Sequence, residues 1–250
     1  MCNILQVQWT IVPRFAPQPW IACNGCGGLR PFRCSGKIRL NANGRKLDAW
    51  LIYKCSTCDK TWNRPIFERQ NVRDIHPETL EAMQSNDPGW IRTQAFDLAA
   101  LRRKSQRIDE FADVDVQKAL LCSAEGWTML EIRLVVPLPA SMRLDRLLAT
   151  ELGLSRSWLQ ALDGAGRLQA DPNRKDALRR PPKNQSRIRL DFSDEIDRLS
   201  VCQAAGGSVP GQNRDREARS FKIQLSRPNL RDTLGRGFAA NIGAHATRPM

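Results

Sequence analysis

Apolar and polar positions alternate with a period of two through much of the first seventy residues, and the period lengthens after them. Gln6–Val12 alternates as a strand, ended by Pro13 and a proline-rich stretch to Pro19. Leu29–Cys34 and Lys37–Leu40 read as extended. Asn43-Gly44 supplies a hairpin turn because both residues tolerate positive φ, and Lys46–Tyr53 returns as a strand carrying Trp50, Leu51, Ile52 and Tyr53. Trp62 and Ile66–Phe67 close a small core. Helical patterning follows. Pro77–Gln84 reads as a short helix, and Asp87-Pro88 opens a second, with Trp90, Ile91, Ala95, Leu98 and Leu101 on one face. Arg102-Arg103-Lys104 stands at its end, where cations complement the helix dipole. Trp127–Val136 is a strand closed by Pro137 and Pro139.

Residues 142–192 read as one module. Ser141 is placed to cap a helix over Met142–Leu152 with a stripe of Leu144, Leu147, Leu148 and Leu152, ended by Gly153. Ser155 caps a second helix, Arg156–Leu162, stopped by Gly164 and Gly166. Arg167–Ala170 and Arg187–Phe192 are strands on either side of a loop holding Pro181-Pro182. From Val201 onward apolar periodicity fades. The pattern therefore predicts an α+β protein: a β-rich ribbon in residues 1–70, a helical connector in 71–141 ending in a strand, a helix–helix–hairpin module in 142–192, and a disordered basic tail in 193–250. Phe221–Leu225 is one short alternating segment within that tail, and a frame-shifted end is the alternative reading of 201–250.

Four cysteines change the picture of the first quarter. Cys23/Cys26 and Cys55/Cys58 are two Cys-x-x-Cys pairs joined by the predicted hairpin. Cysteines two apart in a tight turn aim both sulfurs at one point, and two such knuckles brought face to face give the closed tetrahedral geometry of a structural zinc site. A redox disulfide uses the same motif but opens a helix, a pattern absent after Cys26 and Cys58. A four-sulfur iron site has the same sequence signature. A closed site leaves no position for water or substrate, so this metal folds the domain and catalyses nothing. Cys34 reads as a strand residue; Cys2, Cys122 and Cys202 suggest no framework.

Charge bears on partners. The formal charge is +13, and four thiolates around one Zn²⁺ lower it to +11. Residues 1–70 carry 11 Lys/Arg against 3 Asp/Glu, 71–141 carry 8 against 11, 142–200 carry 12 against 9, and 201–250 carry 8 against 3. Two separated basic segments favour an anionic partner, nucleic acid above all. The absence of a basic, cleavable leader and of a long apolar run, with thiols grouped for metal, points to a cytoplasmic protein.

Two resemblances add to this reading. Gly36-Lys37-Ile38-Arg39-Leu40-Asn41-Ala42-Asn43-Gly44, followed by Trp50-Leu51-Ile52-Tyr53-Lys54-Cys55, Cys58-Asp59-Lys60-Thr61-Trp62-Asn63, resembles bacterial domain-of-unknown-function family 1062 from about Trp9 to Phe192. That resemblance implies a cytoplasmic bacterial protein with an N-terminal ribbon and no assigned activity. Met142-Arg143-Leu144-Asp145-Arg146-Leu147-Leu148, Leu154-Ser155-Arg156-Ser157 and Gly166-Arg167-Leu168 are similar to the S4-type RNA-binding module, in which two helices and a hairpin present arginines to structured RNA. The resemblance implies that Arg143 and Arg156 are helix-borne RNA contacts and that Leu144, Leu148 and Leu168 are core. Ala170-Asp171-Pro172 departs from the module's usual Val-Asn-Gly turn.

The function expected is therefore RNA binding without catalysis. Arg143, Arg146 and Arg156, with Arg179, Arg180 and Lys183 of the following loop, would contact phosphates, and Arg39, Arg45 and Lys46 would extend the footprint. The alternative is a zinc-stabilised scaffold docking another protein through Trp20 and Trp62, residues that equally suit a small ribbon core. An enzyme has little to support it. The two histidines, His76 at a helix start and His245 in the tail, make no catalytic constellation, and there is no phosphate-binding glycine loop or nucleophile elbow. Asp109, Glu110, Asp113 and Asp115 read as a solvated acidic loop.

Overall fold

The computed structural model describes residues 3–123, 125–173, 176–193 and 198–206. These fall within one unit, residues 1–209; a second unit, 210–250, lies outside the described residues, and with it the expectations about Phe221–Leu225, His245 and most of the basic tail.

The fold is α+β with two five-stranded sheets. The first contains β1 (Ile4–Pro13), β7 (Val114–Cys122), β8 (Met129–Val135), β9 (Leu168–Asp171) and β10 (Arg187–Asp191) in the order β7-β1-β8-β10-β9. β1 and β8 run parallel, and every other neighbour is antiparallel. Leu5, Val7, Trp9 and Ile11 alternate inward from β1 and Leu130, Ile132 and Leu134 from β8. They meet helices α4 (Leu144–Leu152), α5 (Arg156–Gly164) and α6 (Arg198–Ala205) in one core. Trp158 and Trp127 flank Phe192 there, with ring centroids 5.5 and 5.7 Å away.

The second sheet contains β2 (Gln18–Cys23), β3 (Gly28–Asn43), β4 (Lys46–Cys55), β5 (Thr61–Asn71) and the short β6 (Ile108–Asp109), all antiparallel in the order β5-β4-β3-β2-β6. Helices α1 (Pro77–Ser85), α2 (Pro88–Ala95) and α3 (Leu98–Arg102) supply Met83, Ile91, Ala95 and Leu101 to two clusters with Leu47, Ala49, Leu51 and Tyr53. The predicted Asn-Gly turn is present, with Gly44 at φ 59° between β3 and β4.

Four features differ from the sequence expectations. β1, placed with the ribbon by its position in the chain, pairs instead with β7 and β8 more than a hundred residues later. Buried on one face and flanked on both edges, it is an interior strand of the other sheet, and Arg14 N–H donating to the Asp113 carbonyl (2.9 Å) closes its ladder with β7. The ribbon and helices 18–109 are thus inserted between β1 and β7. Second, the acidic stretch expected as a loop is one only over residues 110–113: Asp109 ends β6 and Asp115 lies in β7. Asp115 pairs with Arg14 across the strands and Asp109 accepts from the Trp20 indole at 2.7 Å. Third, the helix expected from Asp87 to Leu101 breaks at Phe96, because the Asp97 carboxylate accepts from Ala100 N–H and caps a new helix. Fourth, the region assigned to the tail from residue 193 contains a helix, α6. Val201, Cys202 and Ala205 of α6 are buried, and the Trp9 indole donates to the Ala205 carbonyl at 3.0 Å. A smaller shift concerns α4: Arg143 rather than Ser141 stands at its N-cap, and the Ser141 hydroxyl donates to the Phe111 carbonyl.

Glu131 is 2% exposed on the first sheet. Burial alone would raise its pKa, but hydrogen bonds and charge from Arg189 (2.8 Å) and Arg133 (3.4 Å) outweigh that and hold the carboxyl below its usual value. A depressed folded pKa contributes stability in full above the unfolded value of about 4.3 and loses it as pH falls through the folded value. The melting temperature of the wild-type protein is therefore expected to fall more steeply below pH 4 than that of Glu131→Gln. Parallel curves would remove Glu131 from the acid limb.

Candidate metal centre and basic surface

The sulfurs of Cys23, Cys26, Cys55 and Cys58 all lie within 4.8 Å of one another. Local backbone bonds explain the approach. Cys26 and Gly27 donate to the Cys23 carbonyl (3.2 and 2.9 Å), curling the first pair, and Asp59 donates to the Cys55 carbonyl (3.1 Å), curling the second. Gly27 takes a positive φ of 66°. A Cβ on Gly25 would stand 2.9 Å from Lys60 Cγ and 3.0 Å from Cys58 Sγ, so the close packing of the two knuckles requires glycine there. The pairing of β3 with β4, Phe32 opposite Cys55, brings the second knuckle beside the first.

Cys23 Sγ and Cys58 Sγ are 3.4 Å apart, and Cys26 Sγ and Cys55 Sγ 3.9 Å. Four sulfurs at about 2.3 Å from a tetrahedral zinc have edges of about 3.8 Å, so the residues fit that ion. The electrostatics agree. Burial would push the Cys55 thiol up, but N–H groups of Thr57 and Cys58 and the neighbouring thiols bring it down to about 6. The Cys26 thiol, bonded to Cys58 and desolvated, is pushed up to about 12. Four sulfurs in one cluster cannot all ionise alone; a divalent cation at their centre supplies the missing charge. Cys34, the fifth thiol, sits in β3 within the neighbouring apolar cluster, and burial raises its pKa.

The aromatics named as docking anchors have other partners. Trp62 packs against Tyr53 and Phe32 (5.3 and 6.5 Å), and Trp20 lies under Arg107 (3.7 Å) while donating to Asp109. Both belong to ribbon packing. His76 stands at the N-cap of α1, exposed, 3.8 Å from Glu78.

The six basic residues expected to contact RNA gather around the first turn of α4. Asp145, 0% exposed, is the hub. Arg143 reaches it through Nε (3.1 Å) and Nη2 (2.7 Å), Arg156 from α5 through Nη2 (3.0 Å), and Arg146 through its backbone N–H (2.8 Å). The loop holding Arg179, Arg180 and Lys183 closes on the same turn, since Leu144 N–H donates to the Arg180 carbonyl at 2.9 Å. Arg143 and Arg156 keep about half their side-chain surface in solvent, 43% and 51%. Arg146, Arg179, Arg180 and Lys183 are exposed and form no side-chain ion pair among the described residues. Sequence reasoning missed Asp145. Its signal was an acid amid the apolar stripe Leu144–Leu147–Leu148, one turn from two arginines.

Among the described residues no helix is long and apolar enough to cross a membrane. No curated protein and no solved structure matches the chain. Residues 40–174, more than half of the chain and including the Asn43-Gly44 turn, β4, the second cysteine pair, α4 and α5, match the family described as Protein of unknown function (DUF1062), and the chain belongs to that family.

Proposed function

We propose that the protein is a zinc-stabilised RNA-binding protein that holds structured RNA against the basic surface around α4, α5 and the 179–183 loop, without catalysis. One observation carries this reading: an arginine at the N-cap of α4 and another on α5 share a single buried carboxylate, with the four other cations on adjoining segments left unpaired among the described residues. Each arginine keeps N–H groups free of Asp145, and a guanidinium fixed on one side offers a phosphate a preset donor at low entropic cost. The order helix, helix, strand, strand with which α4, α5, β9 and β10 follow one another supports the similarity to S4-type modules. The fit of the four sulfurs to a tetrahedral ion supports zinc in a structural role, and cysteines grouped for metal suit a reducing cytoplasm.

The test is fluorescence anisotropy of a structured RNA hairpin and a matched DNA duplex with the full chain and with Arg146→Gln/Arg180→Gln/Lys183→Gln. RNA is expected to bind in preference to DNA. The variant should lose affinity, with the slope of log affinity against log salt shallower by about 2–3, roughly 0.7–0.9 per phosphate contact removed. Equal, weak binding of both nucleic acids, unchanged in the variant, reduces these cations to surface charge.

A further inference from the structure

The ribbon sheet has two faces, and helices cover one. Phe32, Leu51, Tyr53 and Cys55 point toward α2 and α3, and Leu47 and Ala49 toward α1. The residues between them point the other way. Register fixes three outward rows across β3, β4 and β5: Arg33 opposite Lys54 and then Thr61; Ile52 opposite Asn63; Arg39 opposite Trp50 and then Pro65. Along β4 the outward positions are Lys54, Ile52, Trp50, Asp48 and Lys46, about 7 Å apart.

This face is unusual in two independent respects. Trp50 and Ile52 are half-buried large side chains that belong to neither apolar cluster of the ribbon. Trp50 has the Arg39 guanidinium 5.8 Å from its ring centroid, so its indole is framed by a cation and not by core. The charge around it is also mainly positive. Lys37, Arg39, Lys46 and Lys54 form no ion pair among the described residues. Of the nearby acids, Asp59 is paired with Arg33 at 2.7 Å, while Asp48, which accepts from the Arg69 backbone N–H at 2.6 Å, and Glu68 on β5 keep their charge, so these four cations outnumber the two acids. An open, positively charged sheet with an aromatic at its centre fits a strand of nucleic acid whose bases are unpaired: cations track the phosphates and a base stacks on the ring. A folded duplex hides its base faces and cannot use Trp50.

We propose that the solvent face of β3–β5 binds single-stranded nucleic acid, with one base stacked on Trp50 and phosphates held by Arg39 and Lys54. This site is separate from the α4 surface and stands without it.

The probes are fluorescein-labelled single-stranded RNA and DNA dodecamers of the same sequence, titrated with the full chain at two salt concentrations. Trp50→Ala is expected to weaken binding about tenfold, within the span measured for removing one stacking platform. Trp50→Phe should retain most of the affinity, because it keeps a ring. Arg39→Gln/Lys54→Gln should make the salt slope shallower by about 1.4, roughly 0.7 for each single-strand phosphate contact. The RNA and DNA arms decide which strand is preferred. Because the phosphates of a dodecamer are attracted to the α4 cations as well, the titrations are repeated in the Arg146→Gln/Arg180→Gln/Lys183→Gln background, where Trp50→Ala should still weaken binding about tenfold; that separates this site from the hairpin-binding surface. Wild-type affinity in Trp50→Ala overturns the proposal, as does equal binding of an oligoglutamate of matched charge. If Trp50→Ala loses its metal or its circular dichroism spectrum, the exposed Arg39/Lys54 pair decides: an unchanged salt slope in that variant overturns the proposal.

Discussion

Cys55→Ser is expected to release the metal and unfold the ribbon, the largest effect of any single substitution in this protein. Cys55 is fully buried, faces Cys26 at 3.9 Å, and ends β4, the central strand of the β3–β4–β5 ladder. Structural zinc in small domains contributes on the order of 10–16 kcal/mol at neutral pH, as much as the whole net stability of a typical domain. Three sulfurs and a hydroxyl bind the ion far less well. The first sheet is expected to survive, because its core shares no residue with the two ribbon clusters. Unfolding the insertion leaves a long loop between β1 and β7, and loop-closure cost grows only by about 0.6 kcal/mol for each doubling of length. Metal content by mass spectrometry and amide hydrogen exchange read the two halves separately. Retention of a full equivalent of metal sinks the four-cysteine site, and joint loss of protection in β1, β8 and β10 sinks the independence of the two cores.

Arg143→Ala/Arg156→Ala is expected to destabilise the first sheet and its helices by about 3–5 kcal/mol, the cost of leaving a buried carboxylate without its cations. After that change Asp145 keeps only the Arg146 N–H as a described donor. Adding Asp145→Leu to the pair should recover much of the loss, because the uncompensated charge is then removed and the leucine continues the stripe of α4. Thermal or denaturant unfolding of the two variants checks both statements. A double variant as stable as the wild type would falsify the hub role of Asp145. Loss of RNA binding in that double variant therefore reports folding as much as contact, whereas Arg146, Arg180 and Lys183 are exposed and report the surface alone.

Much of this was legible from the chain. The two knuckles and the Asn43-Gly44 turn are local features, each decided within a few residues, and they specify the β3–β4 hairpin and the cysteine cluster. The same holds for α4 and α5, whose leucine spacing and Ser155 cap are read within one or two turns. Trp50 was visible only as one apolar residue in a strand. Which face it takes depends on the register with Arg39 and Pro65 and on where the helices lie.

By itself, then, the sequence determined what short-range chemistry controls: the two cysteine knuckles, the hairpin between them, the amphipathic helices and the excess of positive charge. The tertiary structure alone decided that β1 leaves the ribbon to pair with β7 and β8, that residues 18–109 are an insertion, and that α6 closes the core over Trp9. It also decided that Arg143 and Arg156 meet at Asp145. The physical reason is common to all four. An alternating strand states which face is apolar but not which edge it joins, and a charged side chain does not state whether its partner is water or a carboxylate from another turn. Those choices are made by burial and pairing summed over the whole core, between residues that the chain keeps far apart.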